Sequence, residues 1–171
     1  TISHECIYRH IYDDKRANGD LIQHLRCQKV RRKRYASGQE RRGTLQNRVC
    51  IDARPAIVDE RSRIGDWEGD TVIGKGHQGV LVTLVERKSR YTLAQQLDSR
   101  HSAGVTEAVI ELLRPHKALC QTITFDNGKE FAEHAFIAAS LGANVYFAHP
   151  YHSWERGLNE NTNGLLRQYF P

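Results

Sequence analysis

Residues 122–131 read TITFDNGKEF. Thr122, Ile123, Thr124 and Phe125 are strand formers, and Asp126, Asn127 and Gly128 stop them before a helix-like run. Asp-Asn-Gly is ordinary turn chemistry, because Asp and Asn bond their own backbone and Gly tolerates positive φ. A carboxylate at the end of a buried strand has a second use, since with other acids it can hold a cation. Which use applies depends on where the neighbouring elements bring further carboxylates.

Before this stretch, DTVIG (70–74) reads as a strand, KGHQG (75–79) as a turn and VLVTLVER (80–87) as a second strand. RYTLAQQL (90–97) makes a third, so the three form an antiparallel meander. SAGVTEAVIELLRP follows as a helix, with Val105, Val109, Leu112 and Leu113 on one face and Pro115 closing it. After QTITFD come the helix KEFAEHAFIAASLG, ended by Gly142, the strand NVYFAH, and a last helix from about Trp154 to Phe170. The order β-β-β-α-β-α-β-α predicts an α/β domain: a mixed five-stranded sheet flanked by helices, with the element order of a ribonuclease-H-like fold.

In that fold the first strand is central and the strand ending at Asp126 lies parallel beside it. Asp70, inside the first strand, is costly to bury unless it is paired or binds a cation. Asp70 and Asp126 on adjacent strands would stand within a few ångströms, and like charges that close need a compensating positive ion. A third acid, Glu160, sits on the last helix, where Arg156, Glu160, Asn163 and Arg167 recur as a polar stripe. Leu158, Leu165 and Leu166 are expected to face the sheet, and Trp154 to cap the core. Three such carboxylates suit Mg²⁺ or Mn²⁺, and two ions about 3.5–4 Å apart activate a water or hydroxyl against a phosphodiester. Asp66 and Glu68 share a strand face with Asp70, so spacing alone does not separate them. Asp70 is preferred because the apolar run closes around it. Glu155 lies near the helix start, and Glu130 and Glu133 read as solvated helix charges.

Charge divides the chain. Residues 1–64 carry a net +7 and residues 65–171 a net −2, which together give +5. KVRRKR (29–34), with Lys29, Arg31, Arg32, Lys33 and Arg34, suggests a polyanionic partner held by a basic arm. Residues 2–12 show helical spacing with Ser3 as N-cap, a short helix is expected over 20–26, and 28–63 reads as a linker that orders on a partner. This divides the protein into an arm at 1–64 and a catalytic core at 65–171. Cys6, Cys27, Cys50 and Cys120 form no C-x-x-C pair, and His149 and His152 have no cysteine near them in sequence, so no zinc site is expected. No apolar run approaches a membrane span and no leader pattern opens the chain, which makes a cytosolic protein the expectation.

ISHECIYRHIY, GDWEGDTVIG, TLVERKSRY, TFDNGKEF and NENTNGLLRQYFP together resemble the catalytic core of DDE transposases of the retroviral-integrase superfamily. The closer resemblance is to the bacterial insertion-sequence-thirty family, over nearly the whole chain. It implies that Asp70, Asp126 and Glu160 are the catalytic triad and bind two Mg²⁺ or Mn²⁺ ions. It further implies cleavage of DNA at transposon terminal repeats and strand transfer into target DNA, without a covalent protein–DNA intermediate. The partner is then DNA, engaged by a cytoplasmic, nucleoid-associated bacterial homo-oligomer. Arg156, Asn163 and Arg167 are expected to hold DNA beside the metals. Family members carry a helix-turn-helix region before this sequence and more of the core after it, so a C-terminally shortened core is expected. The alternative is an inactive remnant that binds DNA through residues 1–64.

Overall fold

The computed structural model describes residues 2–25, 45–74, 79–150 and 152–169. Lys29, Arg31, Arg32, Lys33 and Arg34, Cys27 and most of the KGHQG turn lie outside the described residues.

Five strands form one sheet: β1 (Asp66–Ile73), β2 (Val80–Glu86), β3 (Thr92–Leu97), β4 (Thr122–Phe125) and β5 (Asn144–Phe147). Their order is β3-β2-β1-β4-β5. β1 runs antiparallel to β2 and parallel to β4, so the first strand is central. This is the mixed ribonuclease-H-like sheet that the element order predicts. Parallel register sets Asp66, Trp67 and Glu68 opposite Thr122, Ile123 and Thr124.

One face is apolar. Val82, Leu84, Ile123, Phe125, Val145 and Phe147 bury against α3 (Ser102–Leu113) and α4 (His134–Leu141), which contribute Val105, Val109, Leu113, Ile137 and Leu141. Gly69 is needed there. A Cβ at that position would lie 2.3 Å from a ring atom of Phe125, which leaves no room for any other residue without displacing the ring. Gly142 ends α4 in the left-handed conformation at φ 68°, where glycine carries no Cβ penalty.

The opposite face carries α5 (Gly157–Tyr169) and Arg54, whose Nη1 donates to the Thr124 hydroxyl. The loose linker expected over 28–63 is, from residue 45 onward, packed: Leu45, Arg54 and Val58 are buried, and α2 (Ile57–Glu60) forms a short helix. Cys50 makes a parallel bridge with Phe147, and Phe147 N–H donates to Val49 O at 2.9 Å, extending the sheet beyond β5. β1 also starts four residues earlier than its apolar run, because Asp66 and Glu68 are buried in it as neutralised acids. α1 (His4–Arg16) is capped as its sequence predicts, the Ser3 hydroxyl accepting from Cys6 N–H, and none of its residues is buried. The second short helix is a 3₁₀ turn at Leu21–His24. No helix among the described residues is long and apolar enough to cross a membrane.

Candidate active site at the strand ends

Strand alternation puts Asp66, Glu68 and Asp70 on one face of β1, and parallel pairing puts Thr122, Thr124 and Asp126 on the same face of the neighbouring chain. Each acid meets a different partner. Asp66 accepts from Arg63 Nε and Nη2, each at 2.9 Å, and from the Thr122 hydroxyl at 2.7 Å. Glu68, fully buried, pairs with the equally buried Arg87 guanidinium and accepts Asn159 N–H at 2.9 Å. Asp70 alone of the three remains partly exposed, at the end of the series where the sheet opens. Burial therefore distinguishes the competitors that spacing leaves equal: two are fixed structurally, and one faces the opening.

Asp126 meets both needs that its sequence context raises. Its Oδ1 accepts Gly128 N–H at 2.9 Å, which is the turn chemistry. Its Oδ2 lies 3.7 Å from Arg156 Nη2, while Arg156 Nη1 lies 3.5 Å from Asp70 Oδ2. One buried guanidinium thus stands between two carboxylates, anchored by a 3.1 Å hydrogen bond to Gly69 O. Asn163 Nδ2 donates to Asp70 Oδ2 at 3.1 Å, and the Thr83 hydroxyl donates to Asn163 Oδ1 at 3.0 Å. Burial pushes the Asp70 carboxyl above its ordinary range, Arg156 opposes this, and the negative charges of Asp126 and Glu130 reinforce it.

The predicted stripe on the last helix does not form a single face. Arg156 belongs to a 3₁₀ turn (Ser153–Arg156) ahead of α5, so the α-helical period does not reach it. Arg156 and Asn163 are buried against the carboxylates, whereas Glu160 and Arg167 are exposed. Glu160 sits in the first turn of α5, one residue beyond Asn159. Among the described residues, the clusters of ligand atoms that lie within 4.8 Å of one another are elsewhere, so Asp70, Asp126 and Glu160 are not gathered that closely here.

Other expectations are corrected in the same region. Leu158 is buried but Leu165 is 39% exposed, and the helix face toward the sheet is led by Asn159 and Asn163. Trp154 is 69% exposed and caps no core. Glu130 is no solvated charge: it is buried, accepts the Thr71 hydroxyl at 2.9 Å and pairs with Arg100. Asn159 was not singled out by spacing. Its Nδ2 donates to Glu68 O at 2.8 Å, and the repeat of Asn at 159 and 163, one helical turn apart, is the signal that marks a polar inward face.

The donor set suits a divalent cation. Asp70, inside β1, and Asp126, just past the end of β4, offer hard carboxylate oxygens and already share a positive group, as a close pair of acids must.

The family described as integrase core domain matches residues 60–153. The transposase for insertion sequence element IS4351 of Bacteroides fragilis is 48% identical over 99% of this chain and 52% of its own length. The transposase for insertion sequence element IS1086 of Cupriavidus metallidurans is 42% identical over 99% of this chain and 51% of its own. Transposase InsI for insertion sequence element IS30A of Escherichia coli is 39% identical, over 99% and 46%. The chain thus spans about half the length of the curated relatives it matches. Among solved structures, a chain of the simian T-cell lymphotropic virus intasome with PP2A regulatory subunit B56 gamma superposes with a TM-score of 0.54. It is 24% identical, over 61% of this chain and 39% of that one, a likeness of fold.

Proposed function

Because the chain belongs to the integrase core domain family, we propose that it is the catalytic core of a DDE transposase, acting on DNA phosphodiesters at transposon ends and at the target. The observation that carries this reading is the pair Asp70, on β1, and Asp126, just after β4, sharing the Arg156 guanidinium where these two central strands part.

Asp70, Asp126 and Glu160 would hold divalent cations, with two Mg²⁺ or Mn²⁺ ions as the finer reading. When bound, such ions polarise a phosphoryl oxygen and lower the pKa of an attacking water or hydroxyl. The chain's own residues set the stage. Arg156 keeps the two aspartates from repelling each other apart, and Asn163 fixes the rotamer of Asp70 through a hydrogen bond to Oδ2. Glu160 is free to turn toward the pair from the first turn of α5. Arg167, exposed on the same helix, is placed to meet a DNA phosphate, whereas Arg156 and Asn163 serve the carboxylates. Residues 1–64, of which 45–63 pack on the core, form the arm that holds the polyanion, residues 65–171 are the catalytic core, and two DNA ends imply a multimer.

The test is nicking of labelled transposon-end DNA by the full-length enzyme in Mn²⁺. Asp70→Asn, Asp126→Asn and Glu160→Gln are each expected to abolish cleavage while DNA binding and far-UV circular dichroism stay unchanged. Cleavage retained in any one of them removes that residue from the triad.

A further inference from the structure

A second cluster lies outside the carboxylate pair, where the segment before α2 meets the loop after β5. Cys50 Sγ and His149 Nε2 are 3.4 Å apart. Asp52 Oδ2 lies 3.1 Å from that nitrogen and 3.1 Å from that sulfur. Cys50 and His149 are 99 positions apart in sequence. His149 has no cysteine near it in sequence, but it has one in space, brought by the segment bridged to β5.

From these positions we propose that Cys50, Asp52 and His149 bind a borderline-soft transition metal, Zn²⁺ by preference, at a site separate from Asp70 and Asp126. Three distinct donors, a sulfur, an imidazole nitrogen and a carboxylate oxygen, converge with their ligand atoms within 4.8 Å of one another. Around a tetrahedral Zn²⁺ with bonds of about 2.0–2.3 Å, ligand atoms stand roughly 3.3–3.6 Å apart. The observed separations of 3.1–3.4 Å are a few tenths of an ångström tighter, so little movement is needed. A thiolate with an imidazole selects zinc over magnesium, which takes oxygen ligands alone.

The second ring nitrogen gives independent support. His149 Nδ1 lies 2.9 Å from Glu155 Oε1, and Glu155 Oε2 accepts His149 N–H at 2.8 Å. A carboxylate accepting a hydrogen bond from Nδ1–H favours the tautomer whose Nε2 lone pair is available to a metal, the arrangement that orients histidine ligands in zinc sites. His152 Nδ1 lies 3.5 Å from the same Glu155 oxygen. That places a competing set, His149, His152 and Glu155, on the other side of the ring. The Cys50 side is favoured because it leaves the Nδ1–Glu155 hydrogen bond intact. Its consequence is mechanical: a metal there would tie residues 50–52 to the loop that delivers Arg156 and Glu160. The site does not depend on the transposase reading.

Zn²⁺ titration of the whole chain, followed by chelator competition and by melting, tests the proposal. In excess Mg²⁺, which occupies the carboxylate site, wild type is expected to bind one Zn²⁺ and to melt at higher temperature with it, as linkage requires. Co²⁺ in its place should give a thiolate charge-transfer band. Cys50→Ser should remove that band and the thermal shift, and His149→Ala should abolish binding. Glu155→Gln should weaken it by about 10–100-fold. Asp126→Asn, Cys6→Ser and His152→Ala should leave it unchanged. Zn²⁺ affinity in Cys50→Ser equal to wild type overturns the proposal. So does a loss confined to His152→Ala, which would put the cation on the far side of the ring.

Discussion

On one face of the sheet Val82, Leu84, Ile123 and Phe125 belong to one apolar cluster. On the other, at neighbouring positions of the same strands, Glu68, Thr83 and Thr124 are just as deeply buried. The polar face holds because each group has a partner: Arg87 for Glu68, Asn159 and Asn163 for Thr83, Arg54 Nη1 at 3.0 Å for Thr124. The apolar face is stabilised by area and tolerates shape changes gradually. The polar face is stabilised by pairing, complete for these three groups though not for Arg54 Nε or Arg156 Nε, so removing one member strands another in low dielectric. The difference places rigidity beneath the side that carries Asp70 and Asp126.

The largest expected effect comes from breaking that completeness. Arg87→Ala leaves Glu68 buried and uncompensated and should cost about 3–5 kcal/mol in urea denaturation. Replacing both partners by apolar residues of similar volume should recover much of the loss, because a buried pair is often no better than good packing. If the single and double replacements are equally damaging, the face is not organised by pairing. Leu84→Ala on the apolar face should cost about 2–5 kcal/mol, with no partner whose replacement restores it. Asn159→Ala should follow at about 1–3 kcal/mol, since it removes the side-chain partner of Glu68 O and of the Thr83 hydroxyl, while the backbone N–H bond to the Glu68 carboxylate stays.

Much of the architecture is legible in the sequence, and what escapes it is polar. The strands at 80–86 and 122–125 and the helix from 102 announce themselves by apolar runs and a closing proline, and the structure puts them there. The start of β1 does not, because Asp66 and Glu68 look like loop residues until Arg63, three residues back, and Arg87, from the end of β2, neutralise them. α5 misleads for the same reason: leucines suggest its inner face, yet asparagines occupy it. Asp70 and Asp126 are legible because a carboxylate in a strand calls for a cation. Arg156 as the group between them, and Cys50 beside His149, depend on long-range placement that no local spacing encodes.

A smaller effect separates the faces by pH. The folded-state pKa of Asp70 is raised above its ordinary 3.8. Between the two values the folded chain keeps a proton that the unfolded chain has lost. Metal-free stability should therefore fall as pH rises through that window, and level off above it. Asp70→Asn should remove this slope in melting curves recorded with chelator, whereas Leu84→Ala should leave it. The smallest effect should come from far outside both faces. Arg16→Ala loses the exposed Arg16–Asp13 pair on α1 and should cost well under about 1 kcal/mol.

The short bridge between Cys50 and Phe147 has a consequence for handling the protein. β5 is the last strand of the sheet, and its outer row of backbone groups is the kind of edge that recruits a strand from another molecule. Val49 and Cys50 cover the end of that edge. A chain cut to begin at residue 60, where the integrase core match starts, would keep every strand of the sheet yet expose that edge. It should be prone to edge-to-edge aggregation, and expression from residue 45 onward should be the shorter form that stays monodisperse.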